Sequence, residues 1–200
     1  VKKFHDMKIV YTPLHGSGNV PVRRILREIG MENVCVVPEQ EKPDGNFPTV
    51  KVPNPEDPGA FALALKMQTE LGADLCVATD PDCDRVGVAC MTESGPRLLN
   101  GNQIGALLID YLYNTRKEQN ALEKGETMVT TIVSGELGQK IARENGIVVQ
   151  QVLTGFKYIG DKAEGFPEQG RHFFFGYEES YGYLAGSYVR DKDAVVGSML

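Results

Sequence analysis

Short apolar runs alternate along this chain with segments whose apolar residues recur at helical spacing. Lys8-Ile9-Val10-Tyr11 reads as a buried strand. Beyond a turn-rich stretch over residues 12–19, Val22, Ile25, Leu26 and Ile29 predict a helix that Gly30 stops. Val34-Cys35-Val36-Val37 is a second strand. Pro43, Pro48, Pro53 and Pro55 exclude helix from residues 38–57. A loop of that length is uncommon in a compact domain unless it serves a function. Asp57 as N-cap and Pro58 at the first helical position open another helix, carried by Phe61, Leu63, Leu65 and Met67 and ended by Gly72. Leu75-Cys76-Val77-Ala78 and Val86-Gly87-Val88-Ala89 are strands on either side of a tight polar loop.

Residues 97–102 read as a boundary that closes a βαβαββ unit. The pattern beyond it predicts a strongly apolar helix over 103–114, a strand over 128–133 and a helix opening at Ser134 with Leu137, Ile141 and Ala142. A strand over 147–152, a helix over 158–165 and a strand over 172–175 follow. This alternation predicts an α/β fold: two consecutive α/β/α sandwich domains with mostly parallel mixed sheets, residues 1–100 and 101–200. Ligands of such sheets sit beyond the carboxyl ends of strands. The loops around Asp82, Thr154 and Glu178 fall at such ends.

Composition narrows the class. With 42% hydrophobic and 24% charged residues, the 200-residue chain matches an ordinary globular protein. A net charge of -6 argues against a nucleic-acid partner. No apolar run approaches the roughly 20 residues that span a bilayer, and no signal-peptide pattern occurs, so no membrane partner and a cytoplasmic location are expected. Cys35, Cys76 and Cys90 lie in strand-like segments and read as buried thiols of a reducing compartment. Cys83, in the polar loop, is expected to be accessible. The chain opens on Val1 and closes on the apolar run Ala194-Val195-Val196-Gly197-Ser198-Met199-Leu200, the pattern expected of a piece of a longer polypeptide.

The densest chemistry lies in Asp80-Pro81-Asp82-Cys83-Asp84-Arg85. Three carboxylates at alternating positions repel one another, and a hard divalent cation with oxygen ligands is the usual compensation. Arg85 stands beside them as a bidentate donor to carboxylate or phosphate. An EF-hand loop needs Gly at its sixth position and Glu at its twelfth, where Arg85 and Met91 stand. A haloacid-dehalogenase-like phosphatase needs a glycine and a hydroxyl residue where Asp84 and Arg85 stand. A solvated acidic turn is the bland alternative, and the metal site is favoured over it. His15-Gly16-Ser17-Gly18 begins like a dinucleotide fingerprint, but Pro21 replaces the third glycine. A tight backbone turn is favoured there, with His15 a structural or phosphate contact. Glu178-Glu179-Ser180 is either a sugar-hydroxyl loop or a helix N-terminus. Lys157, Arg190 and Lys192 bind phosphate or lie on a solvated face.

Together these segments resemble the α-D-phosphohexomutase superfamily, the phosphoglucomutases and phosphomannomutases, over essentially the whole chain. The carriers are Thr12-Pro13-Leu14-His15-Gly16-Ser17-Gly18, the Asp80–Arg85 loop, Thr154-Gly155-Phe156-Lys157 and Gly176-Tyr177-Glu178-Glu179-Ser180-Tyr181-Gly182. The family's metal loop usually has glycines between its aspartates. Pro81 and Cys83 stand there instead, as in the phosphoglucomutase/phosphopentomutase branch. The resemblance implies a four-domain enzyme of which this chain is the second domain (1–100, metal loop) and the third (101–200, sugar loop). It implies interconversion of hexose 1-phosphate and hexose 6-phosphate through a phosphoserine and a sugar bisphosphate. Mg²⁺ would be held by Asp80, Asp82 and Asp84, with Arg85 and Lys192 in catalysis. Glu178, Ser180, Thr154, Gly155, Lys157 and Arg190 would bind the sugar phosphate. The family's Ser-His-Asn loop and phosphate-clamp loop belong to outer domains and do not occur in this sequence, so the chain alone is expected to be inactive. Phosphopentomutase, phosphomannomutase and a non-catalytic Mg²⁺/sugar-phosphate module remain as alternatives.

Overall fold

In the computed structural model, which describes residues 6–200, the first half of the chain runs β1 (Ile9–Thr12), α1 (Asn19–Glu28), β2 (Val34–Val36), α2 (Ala62–Leu71), β3 (Leu75–Thr79), β4 (Val86–Thr92) and β5 (Gly95–Leu98). The second half runs α3 (Gly101–Glu118), β6 (Glu126–Thr131), α4 (Glu136–Glu144), β7 (Val148–Val152), α5 (Phe156–Glu164), β8 (His172–Tyr177), β9 (Tyr183–Leu184) and α6 (Ala194–Met199). Residues up to Leu99 together with Asp193–Leu200 form one compact unit, and Asn100–Lys192 form the other. Both are α/β, with sheets that mix parallel and antiparallel pairs.

The first sheet has the order β2-β1-β3-β4-β5. β1 is parallel to β2 and β3, each reached through a helical crossover. Only residues 80–85 separate β3 from β4, too few for a crossover, so β4 returns antiparallel with Thr79 opposite Val86. That constraint closes the acidic loop as a hairpin end. Val10, Phe61, Cys76, Ala78 and Ala89 pack the core beneath it. The Asp57 side chain accepts the Gly59 N–H at 2.9 Å and opens a 3-10 turn that runs into α2, which Gly72 ends in the left-handed conformation at φ 57°. The long 38–57 stretch is fastened rather than loose. Thr12 Oγ1 donates to Gln40 Oε1 at 2.7 Å, and buried His15 places Nε2 2.8 Å from Thr49 Oγ1 and Nδ1 3.3 Å from Lys42 O. His15 is thus a structural contact.

The end of the chain packs apart from the rest of the expected second domain, residues 101–200. The apolar run at the end is a helix, α6, capped by Asp193 Oδ1, which accepts from the Val195 and Val196 N–H groups at 2.8 and 3.0 Å. It packs on α1, and the Ala194 N–H donates to Cys83 O at 3.2 Å. A short apolar helix goes where a complementary face exists, and α1 supplies it. Residues 193–200 therefore belong with the first unit.

In the second unit the sheet order is β7-β6-β8-β9. β6 is parallel to β7 and β8, and β9 is antiparallel to β8. α3 starts two residues before the periodicity predicts, because Asn100 and Gln103 form a capping box, each side chain accepting the other's backbone N–H at 2.9 Å. A bulge in β8 pairs Thr127 with Phe173 but Met128 with Phe175. The alternation of faces slips there by one residue. Phe173 packs with Ile159 and Ala163 of α5, and Phe174 lies under Arg116 of α3. Phe175 then joins the stack of Tyr177 and Tyr183, at 6.0 and 6.3 Å between ring centroids. Tyr177 lies against Gly105 of α3 and Gly138 of α4, and Gly176 against Ile159 of α5.

Candidate functional site

At the carboxyl end of β3, Asp80, Asp82 and Asp84 each place a carboxylate oxygen within 4.8 Å of the others. Backbone geometry builds this convergence. The Asp84 and Arg85 N–H groups donate to Asp80 Oδ1 at 3.0 and 2.9 Å, and the Cys83 N–H donates to Asp80 O at 3.0 Å. Asp80 is buried, whereas Asp82 is exposed and Asp84 half-buried. Burial, and then the charges of Asp84 and Asp82, push the Asp80 carboxyl up to about 7 although the Arg85 N–H favours the ionised form. Arg85 answers part of the negative charge, its Nε 3.7 Å from Asp80 Oδ2 and 3.8 Å from Asp84 Oδ1. One guanidinium against three carboxylates leaves a negative, oxygen-only donor set, which fits a hard divalent cation such as Mg²⁺.

The turn after β1 lies directly beneath. The Ser17 N–H and Oγ both donate to Pro81 O, at 2.8 and 3.0 Å. A Cβ at Gly16 would stand 2.3 Å from Pro81 Cα, and one at Gly18 would stand 2.5 Å from Tyr11 Oη and 2.9 Å from Cys83 Sγ. These glycines admit the acidic loop, and that packing is their role in place of a nucleotide contact. Cys83 adopts φ 63°, a conformation that costs an L-residue about 1–2 kcal/mol and that glycine takes without cost. It is half-buried, not the accessible thiol expected. Burial, with the nearby Asp80, Asp193 and Asp82 charges adding, pushes it up to about 12 against a Thr79 hydrogen bond. Cys76 is fully buried, and Cys35 and Cys90 only half-buried.

In the second unit the β8 bulge decides where the Glu178-Glu179-Ser180 loop points. Buried Glu178 turns toward the start of α5 and accepts the Gly155 N–H at 2.8 Å. Glu179 turns the other way and accepts from Thr131 Oγ1 and Ser134 Oγ, both at 3.1 Å. The Lys192 stem crosses Gly182, where a Cβ would be 2.2 Å from its Cδ, and its ammonium lies 5.4 Å from the Phe156 ring centre. Thr154, Gly155, Glu178 and Lys192 thus gather around one loop cluster, with Ser180 half-buried beside it. Lys157 and Arg190 instead line a shallow depression along α5 with Gly160, Asp161 and Glu164, and Arg190 is ion-paired with Glu164.

Residues 1–94 match the phosphoglucomutase/phosphomannomutase α/β/α domain II, and residues 100–200 match domain III. The chain belongs to the phosphoglucomutase/phosphomannomutase family. A phosphoglucomutase of Staphylococcus haemolyticus is 43% identical over 191 residues, covering 95% of this chain and 34% of the relative. The chain therefore spans about a third of the length of the curated relatives it matches. Among solved structures, a phosphoglucomutase/phosphomannomutase family protein of Burkholderia thailandensis has a TM-score of 0.73 at 20% identity, over 96% of this chain and 38% of its own. An N-acetylphosphoglucosamine mutase of Aspergillus fumigatus, solved with GlcNAc-6P and magnesium, has a TM-score of 0.54 at 14% identity over 96% and 40%. These two likenesses establish the fold.

Sequence reasoning missed Glu56, whose carboxylate is ion-paired with Arg85 Nη1, and the Thr131–Ser134 grip on Glu179. Only the place of Glu56 inside the long proline-rich loop signalled it. Among the described residues no helix is long and apolar enough to cross a membrane.

Two predictions follow from this geometry. Gly16→Ala should cost about 1–3 kcal/mol by displacing Pro81 and should weaken Mg²⁺ binding. Denaturant unfolding and calorimetry check it, and native values in both would refute the packing role. The second concerns pH. Without a cation, Asp80 holds a proton between 3.8 and about 7 in the folded state, where the unfolded chain has released it. Its contribution to stability therefore falls as pH rises through that window. A cation that takes Asp80 as a ligand requires the carboxylate, so adding Mg²⁺ should raise the melting temperature more near pH 8 than near pH 5. Equal shifts at both would remove Asp80 from the ligand set.

Proposed function

We propose that this chain is the metal- and sugar-binding centre of a phosphoglucomutase-type isomerase, an intramolecular phosphotransferase acting on hexose phosphates. The observation that carries the reading is the convergence of Asp80, Asp82 and Asp84 within 4.8 Å beside Arg85, in a chain of this family. The relatives at 40–43% identity are phosphoglucomutases, which favours glucose phosphates. Magnesium in the Aspergillus mutase supports Mg²⁺ as the cation. When bound, Mg²⁺ would neutralise charge developing on a transferring phosphoryl group.

The chain's own residues have separate tasks. Asp80, Asp82 and Asp84 supply ligand oxygens, Asp80 Oδ1 being held by two backbone N–H groups. Arg85 donates to the phosphoryl oxygens, a planar fork matched to phosphate. Glu178, its carboxylate oriented by the Gly155 N–H at 2.8 Å, accepts sugar hydroxyls. Ser180 adds a hydroxyl beside it. Lys192, whose ammonium lies 3.1 Å from Asp191 Oδ1, moves a proton or contacts phosphate. Thr154 and Gly155 lie beside Glu178 near the sugar phosphate, and Lys157 and Arg190, in the depression along α5, offer it positive charge. The phosphate-carrying serine comes from another domain of the intact enzyme, a sugar bisphosphate is the intermediate, and residues 1–200 alone have no turnover. The enzyme works in the cytoplasm without nucleic acid or membrane.

Steady-state kinetics on the intact protein with glucose 1-phosphate test the assignment. Asp82→Ala should lower kcat at least ~100-fold, whereas Glu178→Ala should raise KM about tenfold, the loss of one charged hydrogen bond. Wild-type kcat for the first variant at limiting Mg²⁺ would sink the metal reading. Unchanged constants for the second would remove Glu178 from the sugar site.

A further inference from the structure

Arg85 is shared between two carboxylates of the metal loop and one that lies outside it. Its Nε edge lies 3.7 Å from Asp80 Oδ2 and 3.8 Å from Asp84 Oδ1, whereas Nη1 is ion-paired with Glu56 Oε1. An ion pair whose side chains are 32% and 39% exposed contributes little by charge alone. Here, however, the carboxylate is oriented before it meets its partner. Asn54 Oδ1 accepts the Glu56 N–H at 2.9 Å, and Asn54 Nδ2 reaches Glu56 Oε1 at 3.3 Å. The Asp57 N–H donates to Asn54 O at 2.9 Å, so residues 54–57 form a tight turn. Pro53 and Pro58 flank that turn and limit its freedom.

The turn is also seated on the strand that Arg85 opens. Pro55 is buried against Gly87 of β4, where a Cβ would stand 2.8 Å from Pro55 Cβ and 3.0 Å from Phe61 Cζ. Gly87 is two residues beyond Arg85. Seating Pro55 on β4 therefore fixes Glu56 next to Arg85. Without that carboxylate, the nearest anions are Asp80 and Asp84. The guanidinium would close on them and compete with a cation for the same oxygens.

We propose that Glu56 is a positioning residue that holds the Arg85 guanidinium to one side of the aspartates, leaving Asp80 and Asp84 to a divalent cation and the remaining Arg85 N–H groups to a phosphoryl group. The placement of Arg85 stands on the contacts above, and its consequence for the cation rests on the metal reading. Two measurements on the intact protein separate them. In the Mg²⁺-free protein, the Arg85 Nε–H resonance should shift in Glu56→Gln and return toward the wild-type position in Glu56→Asp. By calorimetry, Glu56→Gln should raise the Mg²⁺ dissociation constant about tenfold, but less than about twofold when Arg85 is already methionine. An unmoved Arg85 resonance overturns the proposal. So does equal weakening of Mg²⁺ in the Arg85→Met background, because Glu56 would then act by its charge alone. A wild-type protein that binds no Mg²⁺ overturns the metal reading, and the resonance comparison still decides whether Glu56 positions Arg85.

Discussion

Three carboxylates held within 4.8 Å of one another are the constraint on which the first unit depends. Left alone they would drive the loop open. Two backbone N–H groups on Asp80 Oδ1, the hairpin closure at Thr79 and Val86, and the glycine-lined turn beneath Pro81 hold it shut. Each is a short-range contact that depends on neighbours far away in sequence. The proline-rich loop adds the Glu56–Arg85 pair, and buried His15 fastens that loop to the same turn. Much of the first unit thus serves to keep mutually repelling groups together, as a site poised for a cation requires.

The second unit solves a different problem, which is how adjacent glutamates come to face opposite ways. The bulge in β8 sets the phase, so that Glu178 meets Gly155 at the start of α5 and Glu179 meets Thr131 and Ser134 before α4. Both carboxylates carry backbone or hydroxyl donors, which anchors the start of the turn that follows them. The Glu178 N–H also donates to Gly182 O at 2.9 Å, so the segment that carries Ser180 is closed as a turn with little conformational freedom.

Most of the element order was legible in the chain, because periodicity and capping are local. Val22 and Leu26 mark the buried side of α1, and Asp57-Pro58 and Gly72 mark the ends of the helical segment that contains α2. The acidic loop was legible too, since the short span between two strand-like runs can only be a hairpin end. Less legible were features whose cause is a distant partner. Cys83 in a polar loop reads as accessible, yet Gly18 and Thr79 enclose it. The run Ala194–Met199 reads as part of the second domain, yet α1 supplies the face it covers.

Residue type, order and spacing were enough to reveal the α/β class, the family and the three aspartates with their arginine, because those signals are local to the chain. That Glu56 reaches Arg85, that Gly16 and Gly18 make room for the acidic loop, and that Glu178 turns toward Gly155 beyond the bulge at Phe174 became visible once the segments were packed. One cause underlies all three. Side-chain direction and close approach depend on which segments pack together, and a one-residue slip in pairing leaves no mark on composition or periodicity.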